Sequence, residues 1–209
     1  MKALHVTAII AFALAVCSTG VLADDYNPPA WRGDDFTTFQ LWEFSDNSNP
    51  VDADVFDNPY GAYDPYAAMS GSLWFPMDLG HQGVWRVGSG QMDLHIPNTD
   101  NVDPDSYKLI WIQLTFFAED GEAPLFMTDP MWTMEPEVID YTPIPGDDYV
   151  HATFQIRLDP NPTEETISII PRHCTLYVDE VVVDTICIPE PATLTLLLLS
   201  AGMVLRRRR

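Results

Sequence analysis

The sequence predicts an all-β fold, a two-sheet β-sandwich. Three observations carry this. About eight short runs alternate apolar and polar residues with the period of two that a strand needs. No stretch between the two termini has the spacing of an amphipathic helix. The runs are separated by turn-forming segments, in a chain with 18 Pro and 11 Gly. Six Trp, eight Tyr and ten Phe argue for a packed core, because disordered acidic chains lack such residues.

The elements follow in order. Residues 24–35 form an entry segment around Pro28-Pro29 and Trp31. Phe36 to Phe44 reads as a first strand, with Phe39 and Leu41 on one face and Gln40, Trp42 and Phe44 on the other. Ser45 to Ser70 reads as a long acidic loop with turn signals at Asn58-Pro59 and Asp64-Pro65. Gly71 to Phe75 and Gly83 to Val87 are strands flanking a connection from Met77 to Gln82, and Trp74 and Trp85 are expected to face each other. Gly90 to Ile96 places Met92, Leu94 and Ile96 inward and Asp93 and His95 outward. A second acidic loop runs from Pro97 to Ser106. Tyr107 to Phe117 is the clearest strand, with Ile110, Ile112, Leu114 and Phe116 toward the core. Ala123 to Asp148 reads as an excursion around the sheet. Tyr149 to Leu158 turns Ala152, Phe154, Ile156 and Leu158 inward. After a rigid turn at Asp159-Pro160-Asn161-Pro162 comes Thr166 to Ile170. Thr175 to Val178 and Val181 to Ile186 then make a terminal hairpin around Asp179-Glu180.

Charge narrows the partners. All 31 acidic residues lie in 24–190, against five bases, Arg32, Arg86, Lys108, Arg157 and Arg172, so this region carries 26 net negative charges. Such a surface repels phosphates, which argues against nucleic-acid binding, and attracts divalent cations or cationic polymers. Asp52, Asp54 and Asp57 lie close in sequence, as calcium ligands do, and Asp100, Asp103 and Asp105 repeat the pattern. Neither set matches an EF-hand, since the glycine is misplaced and no glutamate closes the loop. Calcium is thus a candidate ion, and no other cofactor is indicated. Tyr60, Tyr63 and Tyr66 offer rings for stacking on sugars; the plain alternative is an acidic loop pinned by its aromatics.

Catalytic motifs are missing. There is no Gly-x-Ser-x-Gly elbow, His81, His95, His151 and His173 have no metal-ligand spacing, and carboxylates are too abundant to single out a hydrolase pair. His173 and Cys174 are adjacent and point to opposite faces, so they do not form a nucleophile–base pair. Cys174 and Cys187 flank the expected hairpin. Pairing symmetric about 179–182 sets them opposite each other, whereas a two-residue turn leaves them out of register. A disulfide is the expectation, and two reduced thiols the alternative.

The termini carry addresses. Lys2, the apolar run Val6 to Val16 and the small residues before Ala23 form a secretory signal peptide over 1–23, cut after Ala23; a lipoprotein reading through Cys17 lacks the usual residues before the cysteine. At the other end stand Pro189, Glu190 and Pro191, an apolar segment over 192–205, and Arg206, Arg207, Arg208 and Arg209. At about 1.5 Å per residue the segment is short for a hydrocarbon core of about 30 Å, and the arginines would stop translocation.

Three elements in this order resemble a PEP-CTERM sorting signal over 189–209. The resemblance implies a Gram-negative bacterium, recognition by an exosortase-type membrane peptidase, and an exported chain held transiently in the inner membrane by a transmembrane helix before reaching the cell surface or extracellular matrix. The body, 24–188, ends in Tyr177-Val178-Asp179-Glu180-Val181-Val182-Val183-Asp184. In this it is similar to secreted β-sandwich domains, jelly-roll or galactose-binding-like, that precede such tails. The expected function is a non-enzymatic structural or binding module of the envelope or extracellular polysaccharide. The alternative is a secreted carbohydrate-active enzyme using carboxylates of the acidic loops.

Overall fold

The structure is a computed structural model and describes residues 25–60, 63–97, 106–129, 132–134 (backbone only), 136–162 and 164–189. These residues contain twelve strands: β1 (Thr37–Trp42), β2 (Val51–Asp52), β3 (Val55–Asp57), β4 (Tyr66–Asp78), β5 (His81–Pro97), β6 (Ser106–Ala118), β7 (Leu125–Thr128), β8 (Trp132–Met134), β9 (Glu137–Pro143), β10 (Val150–Leu158), β11 (Glu164–Ile170) and β12 (Leu176–Pro189). All twelve belong to one sheet ordered β8-β7-β11-β5-β12-β6-β10-β9, with β4 and β2 attached beside β5, and β1 and β3 beside β12. The pairings are antiparallel, and the sheet is not closed into a barrel.

Where the sequence reads as two sheets, long strands keep the hydrogen bonding continuous. β5 has 17 residues and changes partners along its length, pairing with β12 over Trp85–Val87 and with β11 over Met92–Pro97. β12 pairs with β5 at its start and with β1 further on, keeping β6 alongside throughout. Shared strands therefore join two arms. The first arm holds β2, β7, β8, β11 and the adjoining ends of β4 and β5. The second holds β1, β3, β6, β9, β10 and the rest of β12. Glycine permits the bend between them. The β4–β5 register shifts between Ser70 and Ser72, where Gly71 has φ +58°, and a Cβ on Gly90 would fall 1.8 Å from the Ser70 carbonyl oxygen.

The arms meet face to face across one core. Met92, Leu94, Ile96, Ile167 and Ile169 from the first pack with Ile110, Ile112, Leu114, Phe154 and Ile156 from the second, all buried. Each such side chain contributes about 1.5–3 kcal/mol. Phe126 of β7 lies against Phe154 of β10 with centroids 4.8 Å apart. One ion pair crosses the core: the Lys108 ammonium donates to both Glu165 oxygens at 2.7 Å. Burial pushes the Glu165 carboxyl up, and Lys108 pulls against that shift.

The inward faces read for β5, β6 and β10 are the buried ones, and Trp74 pairs with Trp85 across the hairpin. Three readings change. The connection from Met77 to Gln82 contracts to a tight turn at Leu79 and Gly80, both at positive φ, so β4 and β5 form one long hairpin. The acidic loop Ser45 to Ser70 holds β2, β3 and the start of β4. The terminal hairpin is a single strand, β12, and Asp179 falls at a bulge where its register against β6 shifts between Val178 and Glu180. Asp-Glu looks like a turn in sequence, but Val181, Val182 and Val183 are each fully buried and hold the strand straight through.

The entry segment covers the outer face of the second arm. The Asn27 backbone N–H donates to Gln113 Oε1 at 2.7 Å, its side-chain amide to Thr153 Oγ1 at 3.2 Å, and its carbonyl accepts from the Trp111 indole at 2.8 Å. Arg32 donates to Asp184 Oδ2 at 2.6 Å, also pairs with Asp25, and lies over the Phe39 ring at 4.4 Å. Tyr26 packs on His151, centroids 3.6 Å apart.

The described residues contain no helix, and none is long and apolar enough to cross a membrane. For the described residues, the expected transmembrane helix and the transient inner-membrane anchoring built on it are corrected accordingly. The segment 192–205 lies outside the described residues, as do Ala23, Glu190, Pro191 and Arg206 to Arg209. Pro189 is the last residue of β12, opposite Ser106, so the final strand reaches one residue beyond the expected boundary.

Candidate functional site

The outer face of the first arm is open to solvent and carries a built row of polar and aromatic side chains. Alternation puts Tyr66, Ala68 and Ser70 of β4, Gln91, Asp93 and His95 of β5, and Glu164, Thr166 and Ser168 of β11 on this face. Register aligns them across the strands. Tyr66 stands opposite His95 and His95 opposite Thr166; Ala68 stands opposite Asp93 and Asp93 opposite Ser168.

Two rings of the aromatic row stack. The Tyr66 and His95 rings are 4.4 Å apart and nearly parallel at 18°, and Tyr63 lies 6.1 Å beyond Tyr66. Thr166 Oγ1 is hydrogen-bonded to His95 Nδ1 at 3.1 Å and fixes the ring. The Tyr63 hydroxyl donates to Glu164 Oε2 at 3.3 Å; burial first and then Glu164 push it above the usual phenol value, so it remains a donor. Beside this row, Asp93 Oδ1 accepts from Ser168 Oγ at 2.6 Å and from the Gln91 amide at 2.7 Å. Stacked rings next to a line of fixed donors and acceptors can take the apolar face of a sugar ring and its hydroxyls together. The outward position of Asp93 and His95 is legible from alternation. The part played by Thr166, Ser168 and Gln91 depends on strand register, and the sequence carries no separate signal for it.

The other candidates are dispersed. Tyr60 turns toward the entry segment, its hydroxyl accepting from the Phe36 N–H at 3.1 Å. Asp54 accepts from the Glu43 N–H at 2.7 Å, Asp52 pairs with Tyr66 in the β2–β4 ladder, and Asp57 lies in β3 opposite Phe39. Among the described residues no three acidic, histidine or cysteine side chains gather where they could hold a metal ion. Asp100, Asp103 and Asp105 lie outside the described residues.

The expected disulfide is corrected. Cys174 precedes β12 and Cys187 sits near its far end, opposite Lys108. Thirteen residues of extended chain at about 3.3 Å each separate them by roughly 40 Å, and both are free thiols. Cys174 lines an open cleft of about 600 Å³ with Gly88, Gly90, Glu119, Arg172 and His173. Desolvation first, then Asp120, Glu119 and Glu122, push its thiol up, which is the wrong direction for a nucleophile.

No protein-family model, curated protein or solved structure matches the chain.

Proposed function

We propose that this protein is a non-enzymatic binding or structural module that engages an extracellular polysaccharide through the outer face of its first arm. The Tyr63–Tyr66–His95 row, in which Tyr66 stacks on His95, beside the Asp93–Ser168–Gln91 line carries this reading. Aromatic faces take the C–H surface of sugar rings, and prealigned polar groups read hydroxyls at small ordering cost. The excess of carboxylates disfavours uronic-acid polymers by like-charge repulsion, so the ligand is a neutral or cationic chain. The folded-over sheet is read as a β-sandwich of jelly-roll or galactose-binding-like type. The tail from Pro189 is read as a PEP-CTERM signal for an exosortase-type peptidase, which would make such a peptidase a second partner.

The test is retention of the full chain in native gels containing neutral, cationic or anionic polysaccharide, with release of reducing ends measured in parallel. Retention by a neutral or cationic polymer, without reducing ends, supports the proposal. Tyr66→Ala should weaken that retention about tenfold, equivalent to about 1.4 kcal/mol, and leave the melting temperature close to the parent's. Reducing ends accumulating with time would instead make the protein a hydrolase. Equal retention of Tyr66→Ala and the parent would remove this face from the account.

A further inference from the structure

The β4–β5 hairpin ends at the Leu79–Gly80 turn. Its flank exposes Leu73 and Met77, and its tip Leu79. His81 opens β5 directly after the turn. Its ring lies between carboxylates from two distant parts of the chain. Nδ1 is 2.7 Å from Asp179 Oδ2, and Nε2 is 2.7 Å from Asp147 Oδ2. Asp179 is the residue at the β12 bulge. Asp147 belongs to the turn before β10, where its Oδ1 also accepts the backbone N–H groups of Asp148 at 2.7 Å and Tyr149 at 3.2 Å. The fully buried Tyr149 stacks on the His81 ring with centroids 3.9 Å apart, and its hydroxyl donates to Asp78 Oδ2 at 3.2 Å. The hairpin, the bulge and the turn are therefore all gathered on one imidazole.

The chemistry of the contacts fixes the protonation state they need. An ionised carboxylate only accepts, and a neutral imidazole donates from one nitrogen alone. Both 2.7 Å contacts are hydrogen bonds only when the ring is an imidazolium. We infer that His81 is a proton-operated clamp: charged, it ties the hairpin to both the β12 bulge and the turn before β10, and neutral, it drops one of the two ties.

The titratable groups facing the ring are Asp78 from β4, Asp147 and Tyr149 from the turn and the start of β10, and Asp179 from β12, all of them acidic. Burial opposes charge on the ring, but the hydrogen bonds to Asp147 and Asp179 outweigh it and raise the His81 value above 6.5. Burial likewise works against an ionised Asp147, and its bond to His81 with the two N–H groups holds its carboxyl below the ordinary value. The signs are opposite. The His81 contribution is complete below the ordinary imidazole value and is lost as pH rises through the raised folded one. The Asp147 contribution is present above the ordinary carboxyl value and is lost as pH falls through the lowered one. The clamp is closed between these limits, across mildly acidic pH and up to the raised imidazole value.

Long-range ¹H–¹⁵N spectra of the full chain test this through the pH range. The expected result is a His81 ring protonated on both nitrogens at mildly acidic pH, with a midpoint above that of a free imidazole. His81→Gln can satisfy only one carboxylate. Its melting temperature should fall below the parent's at mildly acidic pH, and the gap should close as pH rises past the midpoint. Asp147→Asn should move the His81 midpoint down. A single-proton tautomer at mildly acidic pH, a midpoint at or below the free value, or a gap independent of pH would each overturn the clamp. Should His81→Gln not fold, Asp147→Asn decides alone: an unmoved midpoint overturns it.

Discussion

The two arms have outer faces of similar composition and opposite fates. On the first arm, Asp93, His95, Thr166 and Ser168 face solvent and satisfy one another across the neighbouring strands β5 and β11. On the second, Gln113, Thr153 and Asp184 stand at equally outward positions, yet their exposures are 6%, 3% and 0%. The entry segment makes the difference, because Asn27 and Arg32 supply the partners that water supplies elsewhere. A polar outward face thus has no fixed meaning. Left open it is available to a ligand, and roofed over it becomes a second, polar interior whose groups must all be paired.

The largest test of this contrast is Arg32→Ala. It leaves Asp184 buried beneath the entry segment without its cation, and a loss of about 3 kcal/mol is expected in urea unfolding. The loss should depend on pH with a definite sign. Burial pushes the Asp184 carboxyl up to about 6, against the pull of Arg32. A raised folded value means that its contribution is complete below the unfolded carboxyl range and is lost as pH rises through about 6. The gap between parent and variant should therefore shrink in acid, where a neutral Asp184 needs no cation. A gap constant with pH would mean that Arg32 acts through packing on Phe39. Trp111→Phe, which deletes one bond to the Asn27 carbonyl, should cost about 1 kcal/mol in the same assay. The smallest effect belongs to the open face. Asp93→Asn should change stability by about 0.5 kcal/mol, because solvent replaces what the carboxylate accepted. A loss as large as that of Arg32→Ala would show the first face to be structural too.

Much of this was legible in the sequence, at the level of single strands. Ile110, Ile112, Leu114 and Phe116 alternate without a break, so the inward face of β6 could be read directly; Met92, Leu94 and Ile96 likewise mark that of β5. What alternation cannot encode is which strands meet. Gly71 and Gly90 lie 19 positions apart, and only their contact explains the bend that joins the arms. Asp179-Glu180 reads locally as a turn, and the valines after it override that signal by burial. In the candidate site, Tyr63, Tyr66, Asp93 and His95 were visible as outward or exposed groups. Thr166 and Ser168 become part of it only through the β5–β11 register. Arg32 and Asp184 are separated by 152 positions, a distance at which no local pattern speaks.

The position of β12 bears on how the molecule comes to exist. The last strand of the body is central in the sheet, with β6 along one side and β5 then β1 along the other. Its partner β1 is made first, so Thr37–Trp42 must wait without a neighbour for Val181–Ile186 to be synthesised. Contacts this distant in sequence form slowly and late. On a ribosome, the arms can collapse early but the seam between them cannot close until β12 has been synthesised. Throughout that interval Gln40, Trp42, Ile110 and Ile112 bare an unfinished surface, which is the period in which a holding chaperone would have most to do.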